Sequence, residues 1–252
     1  MKAWAALTWV ALAVGSCTSL EMEEETRAVS SDGVRVYIHE FGGDGDGYPV
    51  LLFHQAGSSA RGEFAYIADR LIAEGFKVYG ADLRSGGDLF GVPNLTAKPG
   101  ADVAYCDAYP DVLAASRFVL GVTGMRPILV GSSYSAALVM KAGVEHPELA
   151  AGFASFSPAN GAGLEVCAPS ALLDSIRIPG LGIRPRAEIE GPPGVLRQAE
   201  EWRARGVPME VVEVRSHGAS VLVPSRAGER AEDFWPRFTE FLQEAARLAS
   251  NG

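Results

Sequence analysis

The 252-residue chain is long enough for one α/β domain or two small ones, and a hydrophobic content of 48% supplies a large core. A formal charge of −9 argues against a binder of phosphate backbones, which needs a basic surface, so no nucleic-acid partner is expected. With 29 glycines and 15 prolines the chain must turn often.

The first segment in chain order is not expected to belong to the fold. Lys2 is followed by the apolar run Ala3 to Val14 and by the small residues Gly15 and Ser16. This is the layout of a signal peptide over residues 1–16, too short for a comfortable membrane span. Val14-Gly15-Ser16-Cys17 resembles the bacterial lipobox, whose cysteine takes the lipid and becomes the new N-terminus. That resemblance implies a lipidated Cys17 and a membrane partner through the anchor, in the cell envelope. Thr18, where an aspartate would signal inner-membrane retention, favours the outer membrane facing the periplasm. Ordinary secretion with a chance cysteine is the alternative. Residues 17–31 are polar and acidic without apolar period and are expected to be a tether, with the globular domain over 32–252.

Val34, Val36 and Ile38 alternate and predict a half-buried strand; "PVLLFH" reads as a fully buried one. "EFAYIADRLIAEG" has helical spacing up to Gly75, and "FKVYGADLR" is a further strand. A glycine-rich loop, Ser85 to Gly100, precedes a helix with Pro110 at a kink or in its first turn. Then come the strand "RPILVG", the helix "SYSAALVMKAGVEH" and the strands "LAAGFASFSP" and "IPGLGIRP". A helix ("PGVLRQAEEWRARG"), a strand ("PMEVVEVRS") and a long amphipathic helix from Arg230 close the chain. Strands alternating with helices predict a mostly parallel sheet covered on both faces, with ligands at the carboxyl ends of the strands.

The residues falling at those ends carry the chemistry. Ser133 sits in Gly131-Ser132-Ser133-Tyr134-Ser135, a G-x-S-x-S turn between strand and helix. It reads either as a nucleophile on a tight bend or as a helix N-cap. Of four histidines, His217 lies just beyond the last strand, placed to act as base; His54 ends a strand and is expected to brace its loop. An acid orienting the base should lie between Ser133 and His217, and Glu188, with Glu190 close behind, follows the strand that holds Arg184. The oxyanion would be met by the backbone N–H of Tyr134 and by that of Ala56, or alternatively Gln55. No histidine pair has ligand-like spacing and no dinucleotide signature is present, so no metal and no cofactor are expected.

In this order the stretches "LLFHQAGSS", "YGADLRSGG", "GSSYS", "IPGLGIRPRAE" and "SHG" resemble the α/β-hydrolase family, from about Gly33 to Leu248. The resemblance is to carboxylesterases and dienelactone-hydrolase-like proteins. It implies the α/β-hydrolase fold and a serine hydrolase cleaving a small ester through Ser133, His217 and Glu188. The alternatives are a peptidase or lactonase on the same residues, or a non-enzymatic envelope lipoprotein binding a ligand or partner. The segment between Pro158 and Ile178 is too short for a large cap domain. Gln55 and Ser135 stand where the family has glycine, and are expected to narrow the pocket. With Cys17 lipidated, Cys106 and Cys167 remain in an oxidising compartment and can approach the same rim in this fold, so a disulfide between them is expected.

Overall fold

A computed structural model describes residues 26–251 apart from 162, 165, 168 and 169. The expected signal peptide and Cys17 lie outside the described residues.

Among the described residues eight strands form one sheet: β1 (Thr26–Val29), β2 (Arg35–Gly42), β3 (Pro49–Phe53), β4 (Lys77–Ala81), β5 (Ile128–Ser132), β6 (Gly152–Phe156), β7 (Gly180–Pro185) and β8 (Met209–Val212). Their order is β1-β2-β4-β3-β5-β6-β7-β8. β2 pairs antiparallel with both β1 and β4, and every other pairing is parallel. β1 lies within the expected tether, so the described sheet includes Thr26–Val29, ahead of Asp32. A strand of four residues is too short to display alternation in the sequence. Backbone pairing with Arg35 to Ile38 defines this strand.

Among the described residues there are seven α-helices: α1 (Ala60–Ala73), α2 (Tyr109–Thr123), α3 (Tyr134–Glu145), α4 (Arg186–Ile189), α5 (Pro193–Ala204), α6 (Pro224–Ala227) and α7 (Ala231–Ser250). The period-two alternation of β3 divides the core. Val50 and Leu52 pack with Phe64, Ile67 and Leu71 of α1 and with Phe238 and Leu242 of α7. Leu51 and Phe53 face the other way, toward Val112 of α2, Leu138 of α3 and Trp202 of α5. A strand covered on both faces has no polar side to show, which is why "PVLLF" is continuously apolar. α1 is fixed at its start by two acceptors: Ser59 Oγ takes the Gly62 N–H at 3.0 Å, and Asp82 Oδ1 takes that of Ala60 at 2.8 Å. Asp82 Oδ2 also accepts from Leu95 N at 2.8 Å, which ties the Ser85–Gly100 loop to the end of β4. Pro110 falls in the first turn of α2, where its missing N–H costs nothing.

Candidate active site

The carboxyl ends of β3, β5, β6, β7 and β8 lie along one edge of the sheet. β5 leads through Ser133 into α3. Ser133 has φ 61° and ψ −116°, a region that costs a non-glycine residue about 1–3 kcal/mol. Its N–H donates to Phe156 O at 2.8 Å, and its carbonyl accepts from Ala159 N at 3.1 Å, so β6 and the following loop hold the bend. Its side chain makes no capping bond to α3, which removes the N-cap reading. The bend needs Gly131, since a Cβ there would lie 2.6 Å from Ser135 O and 2.7 Å from Ala136 Cα. Ser135 does not narrow the pocket as expected. Its side chain is buried, donates to Phe53 O at 2.8 Å and accepts from Ser132 N at 2.9 Å, so the hydroxyl staples the bend to β3.

His217 lies on the loop after β8. Its Nδ1 is 2.7 Å from Glu188 Oε1, so Nδ1 carries the proton and Nε2 is left as the basic nitrogen. The imidazole is half exposed, so the site is open. The loop is tied to β5: Ala219 N donates to Ser132 Oγ at 2.9 Å. Gly218 has φ 62°, and a Cβ there would sit 2.2 Å from Ser132 Oγ. His217 is thus followed by a residue that must be glycine in both backbone and space.

Glu188 lies on α4, a single turn that sequence periodicity did not reveal. Burial alone would push its carboxyl up. Hydrogen bonds from His217 and Ser157 and the charge of Arg184 outweigh that and hold it below its usual value. Glu190, two residues on and so about half a turn round the helix, is exposed, with Arg186 at 3.9 Å.

The three amides named as candidates for the oxyanion do not all behave alike. Gln55 N–H donates to Glu63 Oε2 at 2.7 Å, so it is already engaged. Ala56 N and Tyr134 N donate to no protein acceptor among the described residues. Of the two alternatives in this loop, Ala56 is the one whose N–H is not engaged by another described residue. His54 braces this loop: Nε2 accepts from Leu83 N at 2.8 Å, and Nδ1 meets Gln55 O at 2.8 Å. Burial lowers its pKa, as suits a neutral structural ring.

Sequence reasoning missed three residues here. Glu63, in the first turn of α1, is fully buried behind the oxyanion loop. Its Oε1 has no hydrogen-bond partner, and desolvation pushes the carboxyl up to about 7 against the pull of Ser132, Gln55, Arg226 and His217. Ser157 and Arg184 both contact Glu188. Position beyond a strand end was the available signal for Ser157, and a cation in an apolar strand was the signal for Arg184. Cys106 and Cys167 form a disulfide with Cα atoms 5.5 Å apart. It fixes the segment beside Tyr105, whose ring stacks on Tyr134 at 4.9 Å between centroids.

Comparison with solved structures finds the same fold at low identity. An esterase from Pyrococcus furiosus superposes with a TM-score of 0.64 at 16% identity, covering 88% of this chain and 91% of that one. A predicted CIB-like hydrolase from Thermoplasma acidophilum gives 0.62 at 20% identity, covering 88% and 98%. A putative dienelactone hydrolase from Klebsiella pneumoniae gives 0.63 at 15% identity, covering 87% and 97%. No protein-family model and no curated protein matches the chain. The fold of this chain is the α/β-hydrolase fold.

Proposed function

We propose that this α/β-hydrolase-fold protein is a serine hydrolase of small carboxylic esters, with Ser133 as nucleophile, His217 as base and Glu188 as the orienting acid. The observation that carries the reading is the strained, non-capping serine at φ 61°, on a strand end stitched to the loop of a His217–Glu188 pair. Ser133 Oγ attacks the ester carbonyl carbon while His217 Nε2 takes its proton. The oxyanion lies against the amides of Ala56 and Tyr134. Collapse expels the alcohol, which takes the proton back from His217, and leaves an acyl group on Ser133. Water, deprotonated by the same nitrogen, then releases the acid and restores the serine. Glu188 stays ionised throughout and stabilises the imidazolium.

The open site, with its half-exposed imidazole, suits a small ester approaching from solvent. A fluorophosphonate should label the wild type at Ser133, and Ser133→Ala should abolish labelling and ester turnover. Labelling that persists in the variant would move the nucleophile elsewhere. A folded wild type that neither labels nor turns over esters would favour the ligand-binding alternative. Turnover of amides or lactones above esters would favour the peptidase or lactonase alternative.

The site of action follows from the other end of the chain. The lipobox-like Val14–Cys17 supports an exported protein anchored by lipid on Cys17, and the Cys106–Cys167 bond is of the kind that persists in oxidising compartments.

A further inference from the structure

Ser157 follows β6 with φ 49°, and shares positive φ with one other non-glycine among the described residues, Ser133. Glycine would take that backbone region without strain, so the serine side chain must offset what the backbone loses. Its hydroxyl makes two bonds. It donates to Glu188 Oε1 at 2.8 Å and accepts from Gly218 N at 3.0 Å. Oε1 is the oxygen that holds His217 Nδ1, and Gly218 is the residue after His217. One buried hydroxyl therefore fixes the acid and the backbone of the base together.

Arg184, buried near the end of β7, holds the other oxygen, with Nη1 2.6 Å from Glu188 Oε2. Its Nη2 donates to Pro158 O and to Gln198 Oε1, so the same side chain braces the backbone next to Ser157. Glu188 thus serves three donors: His217, Ser157 and Arg184. Glu63 of α1 is a further charged group in this neighbourhood, coupled to both His217 and Arg226 of α6. Ser157 and Arg184 share the charge of the carboxylate with His217 and so weaken its pull on the ring.

We propose that Ser157 and Arg184 are positioning residues that set the orientation and the basicity of His217 through Glu188. The proposal rests on the reading of Glu188 and His217 as acid and base. Ser157 fixes the direction in which Oε1 points. Arg184 partly neutralises the acid, so that protonating His217 is less favourable beside it than beside an unpaired carboxylate.

Two readouts test this, one independent of catalysis. The His217 ring is titrated by NMR, its resonance identified by its loss in His217→Asn. Ser157→Gly suits the backbone and so folds while deleting the hydroxyl. Arg184→Gln deletes the charge, and Arg184→Lys keeps the charge without the fork. The titration midpoint should rise by about one pH unit in Ser157→Gly and in Arg184→Gln, the effect of returning charge to the carboxylate. It should stay near the wild-type value in Arg184→Lys. For ester turnover, kcat should fall about 10- to 100-fold in Ser157→Gly with KM little changed, as misplacing a catalytic group does. An unmoved midpoint in both Ser157→Gly and Arg184→Gln overturns the proposal, whatever the activity. A shifted midpoint in a protein that cleaves no ester keeps it and sinks the hydrolase reading instead.

Discussion

Replacing Glu63 by glutamine should change how the stability of the protein depends on pH. The carboxyl is fully buried, and its pKa rises from the ordinary 4.5 to about 7 because desolvation outweighs the nearby donors and cations. At about 1.4 kcal/mol per pKa unit, that rise corresponds to about 3 kcal/mol. Below pH 4.5 the group is protonated in both folded and unfolded chains. Between 4.5 and 7 the unfolded chain gives up the proton and the folded one keeps it, so stability falls as pH rises. Above 7 both are ionised and the cost levels off. Glutamine carries no such proton and still offers an oxygen to the Gln55 amide. Urea unfolding of both proteins from pH 4.5 to 8.5, with the disulfide intact, isolates the effect as a difference. The wild type should lose about 3 kcal/mol relative to Glu63→Gln across that interval. Contributions from Glu188 and the other carboxylates are common to both proteins and cancel. A constant difference, or one that grows in favour of the wild type with pH, would refute the assignment of Glu63 as a buried acid titrating near neutrality.

The Cys106–Cys167 bond spans 61 residues of sequence, and in the chain-entropy model Cys106→Ser should cost about 4 kcal/mol, read as a lower urea midpoint under oxidising conditions. Equal midpoints for the variant and the oxidised wild type would show that the bond adds nothing to the fold. For the anchor, Cys17→Ser should move the exported protein from the detergent phase to the aqueous phase, since stable attachment needs the lipid chains. An unchanged partition would refute lipidation at that residue.

The parts of the fold that were legible in the sequence are those with strong periodicity. The apolar β3 run, the helical spacing up to Gly75 and the last amphipathic helix each match an element, because burial on one face or both leaves a repeat in the composition. β1 and α4 left none. β1 is defined by backbone pairing to β2, and α4 is a single turn with no buried residue. The same limit applied at the site. Ser133, His217 and Glu188 were readable as candidates because each follows a strand, and the structure brings His217 and Glu188 together. Whether Glu188 or Glu190 faces His217 depends on about half a turn of helix, which spacing alone does not fix. Ser157 showed only its place beyond a strand end, and Glu63 only a charge in a helical segment. Their significance lies in the partners that the fold brings to them, Gly218 and Gln55, and no local pattern encodes such a pairing.

The two carboxyl groups beside β5, Glu63 fully buried and Glu188 partly so, are pushed in opposite directions, and the partners explain why. Glu188 has a hydroxyl, an imidazole and a guanidinium on its two oxygens, so its charged form is favoured despite burial. Glu63 has one amide on Oε2 and nothing on Oε1, while Arg226 spends its hydrogen bonds on the carbonyls of Gly62 and Glu63 and not on the carboxylate. Environments that separate two carboxyl groups in this way assign them different tasks. An ionised Glu188 is what an imidazolium at His217 requires. A full charge on Glu63 would sit beneath the loop whose Ala56 amide meets the oxyanion, where it would oppose the charge developing on the substrate. Protonated, Glu63 still accepts from Gln55 N–H and holds that loop in register without the opposing charge. In the proposed reaction the burial that makes Glu63 a poor anion therefore favours the same transition state that Glu188 favours by remaining one.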